Sequence, residues 1–192
     1  MGILKHLVLT GSLMLVAVTS MANPTFSSDK TDFRLETIAQ GLEHPWSLAF
    51  LPDGSILVTE REGRLRMIRN GALLSTPISG LPELVVSGQG GLLDVELGRS
   101  FARDRMIYWT YYEPREGGNG LAVARGRLVD GAQPRVEGVQ VIFRMQPTLD
   151  STKHAGGRLV WAPDGTLFVT LGERSILPGR VQAQDLNSHF GK

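Results

Sequence analysis

The chain contains no cysteine in 192 residues. A disulfide framework, a thiol nucleophile and a cysteine-ligated metal or iron–sulfur centre are therefore excluded. An excess of one charge is lacking too: 20 Lys and Arg stand against 19 Asp and Glu, a net charge of +1. The charges are interspersed, which leaves no basic stripe for nucleic acid and no acidic tail. After residue 18 there is no apolar run long enough to span a bilayer as a helix. His-Glu-x-x-His, a Walker loop, Gly-x-Ser-x-Gly and a spaced acidic calcium loop are all missing. The run Gly88-Gln89-Gly90-Gly91-Leu92-Leu93 has Leu93 where a dinucleotide fingerprint needs its third glycine, and it leads into a strand. NAD binding on a Rossmann unit is excluded on that ground.

What is present begins at the N-terminus. Lys5 and His6 precede an apolar run from Leu7 to Val18, and the small-residue ending Ser20-Met21-Ala22 follows. A run of about a dozen apolar residues is too short to span a bilayer, so residues 1–22 are expected to be a secretory signal peptide, with Asn23 as the mature start. The expected location is periplasmic or secreted, with no membrane anchor in the mature chain.

Glycine (23 residues) and proline (10) punctuate short runs of β-branched and aromatic residues, and no long stretch has helical period. The pattern predicts an all-β fold of many short strands. Trp46 to Thr59 is echoed by Arg158 to Thr170, each a strand, a Pro-Asp-Gly turn and a second strand. In such a turn proline presets φ, aspartate bonds its local backbone and glycine accepts positive φ. A looser hairpin lies between them, Leu92 to Leu97 through a turn near Arg103-Asp104 into Met106 to Thr110. Further strands are expected at Arg64–Ile68, Ala122–Leu128 and Val139–Phe143. Hairpins recurring every 50 to 60 residues or so, with about four strands per unit, predict a β-propeller. At roughly 55 residues per blade the chain supplies about three blades, fewer than a closed ring needs. The expectation is therefore an N-terminal part of a larger propeller.

Two glycine-rich clusters carry polar side chains able to meet a ligand. Ser87-Gly88-Gln89-Gly90-Gly91 sets one amide among glycines just before a strand, which permits close approach of backbone and side chain to a ligand, although such a run is more often a flexible connection or a bulge. Lys153-His154-Ala155-Gly156-Gly157-Arg158 sets a histidine before the inner strand of a blade, at the end that faces a propeller channel. A loop histidine on its own is more often merely a solvated side chain.

The ordered set His44-Pro45-Trp46-Ser47-Leu48-Ala49-Phe50, Thr59-Glu60-Arg61-Glu62-Gly63-Arg64-Leu65, Gly88-Gln89-Gly90-Gly91-Leu92-Leu93-Asp94-Val95, His154-Ala155-Gly156-Gly157-Arg158-Leu159 and Ala183-Gln184-Asp185 with Gly191-Lys192 resembles the N-terminal motifs of the PQQ-dependent glucose/sorbosone dehydrogenases. The resemblance runs from Phe33 to Lys192 and implies a domain over 33–192 of a six-bladed propeller. It implies oxidation of an aldose at C1 to the lactone, with PQQ and calcium as cofactors and an external electron acceptor. By the same resemblance His154 is the catalytic base and a substrate contact, and Gln89 binds cofactor and substrate. No metal ligand is expected within this chain. Arg158 is expected to pair with Glu173 or Asp94. The family's cations for the PQQ carboxylates and its calcium-binding carbonyls belong to the C-terminal half, so the 192 residues alone are expected to be inactive. Two other readings are a calcium-dependent lactonase-type propeller, which shares the hairpin, and a non-catalytic sugar-binding fragment.

Overall fold

The computed structural model describes residues 24–192, so the expected signal peptide, 1–22, lies outside the described residues. The chain divides into two compact units, one ending at Thr37 and one running from Ile38 to Lys192. In the described part of the first, β1 (Thr25–Ser27) pairs antiparallel with β2 (Asp32–Arg34), and Phe26 stacks on its cross-strand partner Phe33 at 5.6 Å between ring centroids.

The second unit is built of antiparallel sheets that follow one another along the sequence. The first orders β3 (Pro45–Phe50), β4 (Ile56–Glu60), β5 (Arg64–Arg69) and β6 (Ala72–Leu73). The second orders β7 (Leu92–Leu97), β8 (Met106–Arg115), β9 (Gly118–Val129) and β10 (Arg135–Arg144). The third pairs β11 (Gly156–Trp161) with β12 (Leu167–Leu171), and Leu171 and Lys192 exchange both backbone hydrogen bonds beside it. The fold is a β-propeller of which the chain covers about the first three blades, the third represented by two strands.

The two Pro-Asp-Gly turns are built alike. Gly54 N and Gly165 N donate to Leu51 O and Ala162 O at 3.0 Å each, with φ of +83° and +96°. Asp53 and Asp164 accept from the N–H two residues on, at 2.9 and 2.8 Å. The middle hairpin turns differently. The chain between β7 and β8 forms one helical turn, α1 (Phe101–Asp104), whose Phe101 is buried, and Arg105 closes it with φ of +59°.

The β7, β8 and β9 strands of the second sheet are covered on both faces, so they are buried at successive positions rather than at alternate ones, whereas the edge strand β10 alternates. Leu92, Val95, Trp109 and Tyr111 pack with Leu57, Leu65 and Met67 of the first sheet, whereas Leu93, Tyr112 and Leu121 pack with Ala155, Leu171 and Phe190. Adjacent side chains on a strand point to opposite faces, which is why Tyr111 and Tyr112 enter different cores.

A threonine ties each blade to the next. Thr59 Oγ1 accepts from Ser47 N of its own blade at 3.0 Å and donates to Leu93 O of the second blade at 2.5 Å. Thr110 Oγ1 accepts from Asp94 N at 2.9 Å and donates to Gly157 O of the third blade at 2.7 Å. Thr170 Oγ1 accepts from Arg158 N at 3.0 Å, the first half of the same arrangement.

Candidate active site

Three inner strands bring their N-terminal ends together, and the side chains there come from all three blades. The central one is Asp94 of β7, fully buried, whose carboxylate accepts from Ser47 Oγ at 2.5 Å, Arg158 Nη1 at 2.7 Å and Leu159 N at 2.6 Å. Arg158 therefore pairs with Asp94 and not with Glu173. Its guanidinium also lies over the Trp46 ring at 4.8 Å, so its role in this geometry is to join blades, while half of its side chain stays in solvent.

Beside this junction is a cleft of about 320 Å³ whose lining includes Trp46, Gln89, Tyr112 and His154. The structure thus brings the two expected site residues into direct contact. Gln89 Oε1 accepts from His154 N at 2.8 Å, and Gln89 N donates to Thr152 O at 2.8 Å. The first bond, with Arg174 N donating to His154 O at 2.9 Å, holds His154 at φ of +44°. Histidine is one of the few side chains that tolerates this left-handed region. Because the Gln89 carbonyl is engaged, its amide NH2 is the part left to meet a ligand. Arg61 of the first blade donates to Gly88 O and so secures the loop from its other side.

The His154 ring is oriented by Glu173, which the sequence suggested only as a partner for Arg158. Nδ1 lies 2.9 Å from Glu173 Oε1, and Glu173 Oε2 accepts from Ser175 N at 2.7 Å. Burial by itself would raise the Glu173 pKa, but the Ser175 N–H, the His154 contact and the Arg180 charge hold it below its ordinary value. A carboxylate ionised at neutral pH accepts a proton bond, which assigns the hydrogen to Nδ1 and leaves Nε2 as a lone-pair acceptor. Nε2 has no protein partner among the described residues.

Tyr112 completes the cleft. A Cβ on Gly90 would lie 2.1 Å from its Cδ2, so that glycine of the Gly88-Gln89-Gly90-Gly91 run is required by the tyrosine ring. The buried Tyr112 hydroxyl has no hydrogen bond of normal geometry, although Arg174 and the Ala155 backbone stand near it. Burial raises its pKa, against a smaller opposing effect of the Arg174 charge. Arg174 is itself buried, 5.0 Å from the Tyr112 ring centroid, donating to Asn119 Oδ1 at 2.6 Å, Lys153 O at 3.1 Å and Ser151 O.

The free groups at the cleft, an amide NH2, an imidazole lone pair and two aromatic rings, fit one edge of a planar quinone and the hydroxyls of a sugar. They supply no cation free to meet carboxylates, because Arg158 is engaged with Asp94. Among the described residues no three His, Asp or Glu side chains gather in a way that could hold a metal.

A family model described as Glucose / Sorbosone dehydrogenase matches residues 42–192. The aldose sugar dehydrogenase YliI of Escherichia coli (strain K12) is 41% identical over 183 residues, covering 94% of this chain and 48% of the relative. Two solved structures share the fold. The soluble aldose sugar dehydrogenase of Escherichia coli in the apo-form has a TM-score of 0.75 at 44% identity, with 82% of this chain and 45% of that chain covered. The PQQ-bound form of aldose sugar dehydrogenase from Streptomyces coelicolor has a TM-score of 0.68 at 30% identity, with 89% and 48% covered. The chain spans about half the length of the curated relatives it matches first.

Proposed function

The chain belongs to the glucose/sorbosone dehydrogenase family, and from that premise we propose that it provides the proton-accepting side of a PQQ-dependent aldose dehydrogenase, which oxidises a sugar at C1 to the lactone. The observation that carries this reading is the contact of His154 Nδ1 with Glu173, which leaves Nε2 unpartnered at a cleft shared with Gln89.

Oxidation at C1 removes one proton from the hydroxyl and one hydride from the carbon. His154 Nε2 takes the proton, for which it must come within about 2.6 to 3.2 Å of the hydroxyl oxygen. Glu173 keeps the Nδ1 hydrogen in place and stabilises the imidazolium that forms. The Gln89 NH2 donates to an oxygen of the quinone or of the sugar, and its carbonyl fixes the His154 backbone. PQQ, when bound, supplies the two-electron acceptor, and an external acceptor then removes the electrons. Calcium and the cationic partners of the PQQ carboxylates come from blades outside these 192 residues, so the chain alone is inactive. Export through residues 1–22 delivers the protein to the periplasm or beyond.

The test is aldose-dependent dye reduction, with PQQ and calcium supplied, by a polypeptide that joins these residues to the remaining blades. His154→Ala should lower turnover by about 10² to 10⁴-fold. Undiminished turnover in that variant would remove His154 from the chemistry, and lactone hydrolysis without dye reduction would replace the reading by the hydrolase.

A further inference from the structure

We propose that Arg174 is a positioning residue for the reaction: its buried guanidinium, anchored on Asn119 of the second blade, holds the loop from Ser151 to His154 so that the imidazole stands at the cleft. This deepens the proposed function and rests on it for the role of His154.

The segment from Ser151 to Ala155 lies outside the strands, yet each of its carbonyls has a donor. Gln89 N donates to Thr152 O at 2.8 Å and Gly172 N to Ala155 O at 2.9 Å. The other three carbonyls are served by Arg174. Its backbone N donates to His154 O at 2.9 Å, its Nε to Lys153 O at 3.1 Å and its Nη2 to Ser151 O. Ser151 Oγ donates in return to Arg174 O at 2.5 Å. The far end of the fork is fixed on β9, where Nη1 donates to Asn119 O at 3.3 Å and Nη2 to Asn119 Oδ1 at 2.6 Å. One side chain thus ties the histidine loop to the second blade. A planar guanidinium can do this because it presents five donors in a fixed fork, whereas a lysine offers a single point charge.

Two features of Arg174 disfavour folding by themselves. The side chain is 1% exposed, and its acceptors are the neutral oxygens of Asn119, Ser151 and Lys153, so a cation is buried without a carboxylate against it. Burial depresses its pKa, the electrostatic sign of that cost. Its φ is +71°, in the left-handed region that favours glycine. The echo of this hairpin in the first blade shows what the fold alone requires. There the residue after Glu62 is Gly63, with φ of +96°, and His44 still meets Glu62 at 2.5 Å. The turn and the histidine–glutamate contact therefore form without a guanidinium. The arginine is found in the copy whose histidine lines the cleft, and glycine in the copy whose histidine does not. Strain of this kind persists where the surroundings over-determine it, and it clusters at sites of function.

The experiment uses a polypeptide that joins these residues to the remaining blades. Wild type is compared with Arg174→Gly, which suits the backbone and deletes the clamp, and with Arg174→Lys, which keeps the charge and loses the fork. Turnover and KM for an aldose are measured by dye reduction with PQQ and calcium. Hydrogen exchange of the Gln89 and His154 amides is followed by NMR without cofactor, and the Leu159 amide, bonded to Asp94, is the internal reference. Arg174→Gly should lower kcat by about 10 to 10²-fold, since a group misplaced by about 1 Å loses that much, while KM rises by about twofold at most. Exchange at Gln89 and His154 should quicken by about tenfold, and exchange at Leu159 should not change. Arg174→Lys should give about half of each effect on a logarithmic scale. A folded Arg174→Gly protein with wild-type kcat and wild-type exchange at His154 overturns the proposal. So does equal quickening at all three amides, which would make Arg174 a general stabiliser of the fold. If Arg174→Gly does not fold, Asn119→Ala, which removes the Oδ1 anchor, decides in its place: exchange at His154 should quicken by about fivefold, the worth of one ordinary hydrogen bond, and no change overturns the clamp. A wild-type polypeptide that oxidises no aldose would defeat the proposed function, and exchange at the two loop amides would still decide whether Arg174 holds the loop.

Discussion

Asp94 and Arg158, on the inner strands of the second and third blades, meet at 2.7 Å with the carboxylate fully buried and the guanidinium half in solvent. The asymmetry predicts unequal costs of removing each partner. Asp94→Ala strands the Leu159 N–H and the Ser47 hydroxyl along with the cation and should destabilise the protein by about 3 kcal/mol. Arg158→Ala leaves Asp94 its two other donors, so a loss of about 1 kcal/mol is expected. Urea unfolding of the two variants checks the order, and equal losses would show that the ion pair dominates the junction.

Glu60 predicts the acid limb of stability. Its buried carboxylate accepts from Glu43 N at 2.7 Å, Arg64 Nε at 2.5 Å and Arg66 Nη1 at 3.2 Å. Burial would raise its pKa, but these donors and the Arg66 charge hold it below the ordinary 4.5. A carboxyl group with a depressed folded-state pKa adds stability above its unfolded pKa and loses it as pH falls through the folded one. Glu60→Gln should therefore cost about 2 kcal/mol at pH 7, and the difference from wild type should shrink below pH about 4.5. A difference constant from pH 7 to pH 3 would exclude Glu60 as its source.

Tyr112 and Gly90 make a paired prediction. Tyr112→Phe removes a buried hydroxyl that has no hydrogen bond and should leave the melting temperature unchanged or higher. Gly90→Ala puts a methyl group into the Tyr112 ring and should cost about 2 kcal/mol. Adding Tyr112→Ala to Gly90→Ala should recover part of that loss, a coupling that thermal unfolding of the single and double variants measures.

The first and third hairpins were legible because Pro-Asp-Gly turn chemistry is local and needs no tertiary contact. The turn of the second was placed correctly near Arg103-Asp104, but its helical form was not legible, since Phe101 forms that turn by burial in the core. The strand expected at Val139–Phe143 runs from Arg135 to Arg144, and register shifts at Glu137/Gln140 and Val141/Phe143 conceal its length in the alternation. Gln89 and His154 stood out as polar residues among glycines, but their mutual contact spans 65 residues and could not be seen. The contact of Glu173 with His154 could have been found. Carrying the echo three residues past Thr59 and Thr170 brings Glu62 and Glu173 into register, each contacting the histidine ahead of its copy, at 2.5 Å for His44 and 2.9 Å for His154. Tyr112 gave no local signal, because a strand buried on both faces does not reveal which of two adjacent tyrosines meets the cleft.

The last prediction concerns Glu173 as a positioning residue. If its carboxylate sets the His154 tautomer, wild-type protein at pH 8 should show His154 with hydrogen on Nδ1 in imidazole nitrogen NMR. Glu173→Gln should mix the tautomers, because an amide can present either a donor or an acceptor to the ring. In an enzyme completed by its remaining blades the same change should lower turnover by about tenfold. That is less than the loss expected of His154→Ala, since a ring more than half in solvent can recover part of its orientation from water. Glu173→Asp should restore the tautomer but not the full rate, because the shorter side chain pulls the ring from its place. A wild-type imidazole carrying its hydrogen on Nε2 would contradict this at once, since Nε2 could not then accept a proton from the sugar. An unaltered tautomer with a tenfold slower Glu173→Gln enzyme would place the effect of Glu173 in the charge it sets against the imidazolium rather than in orientation.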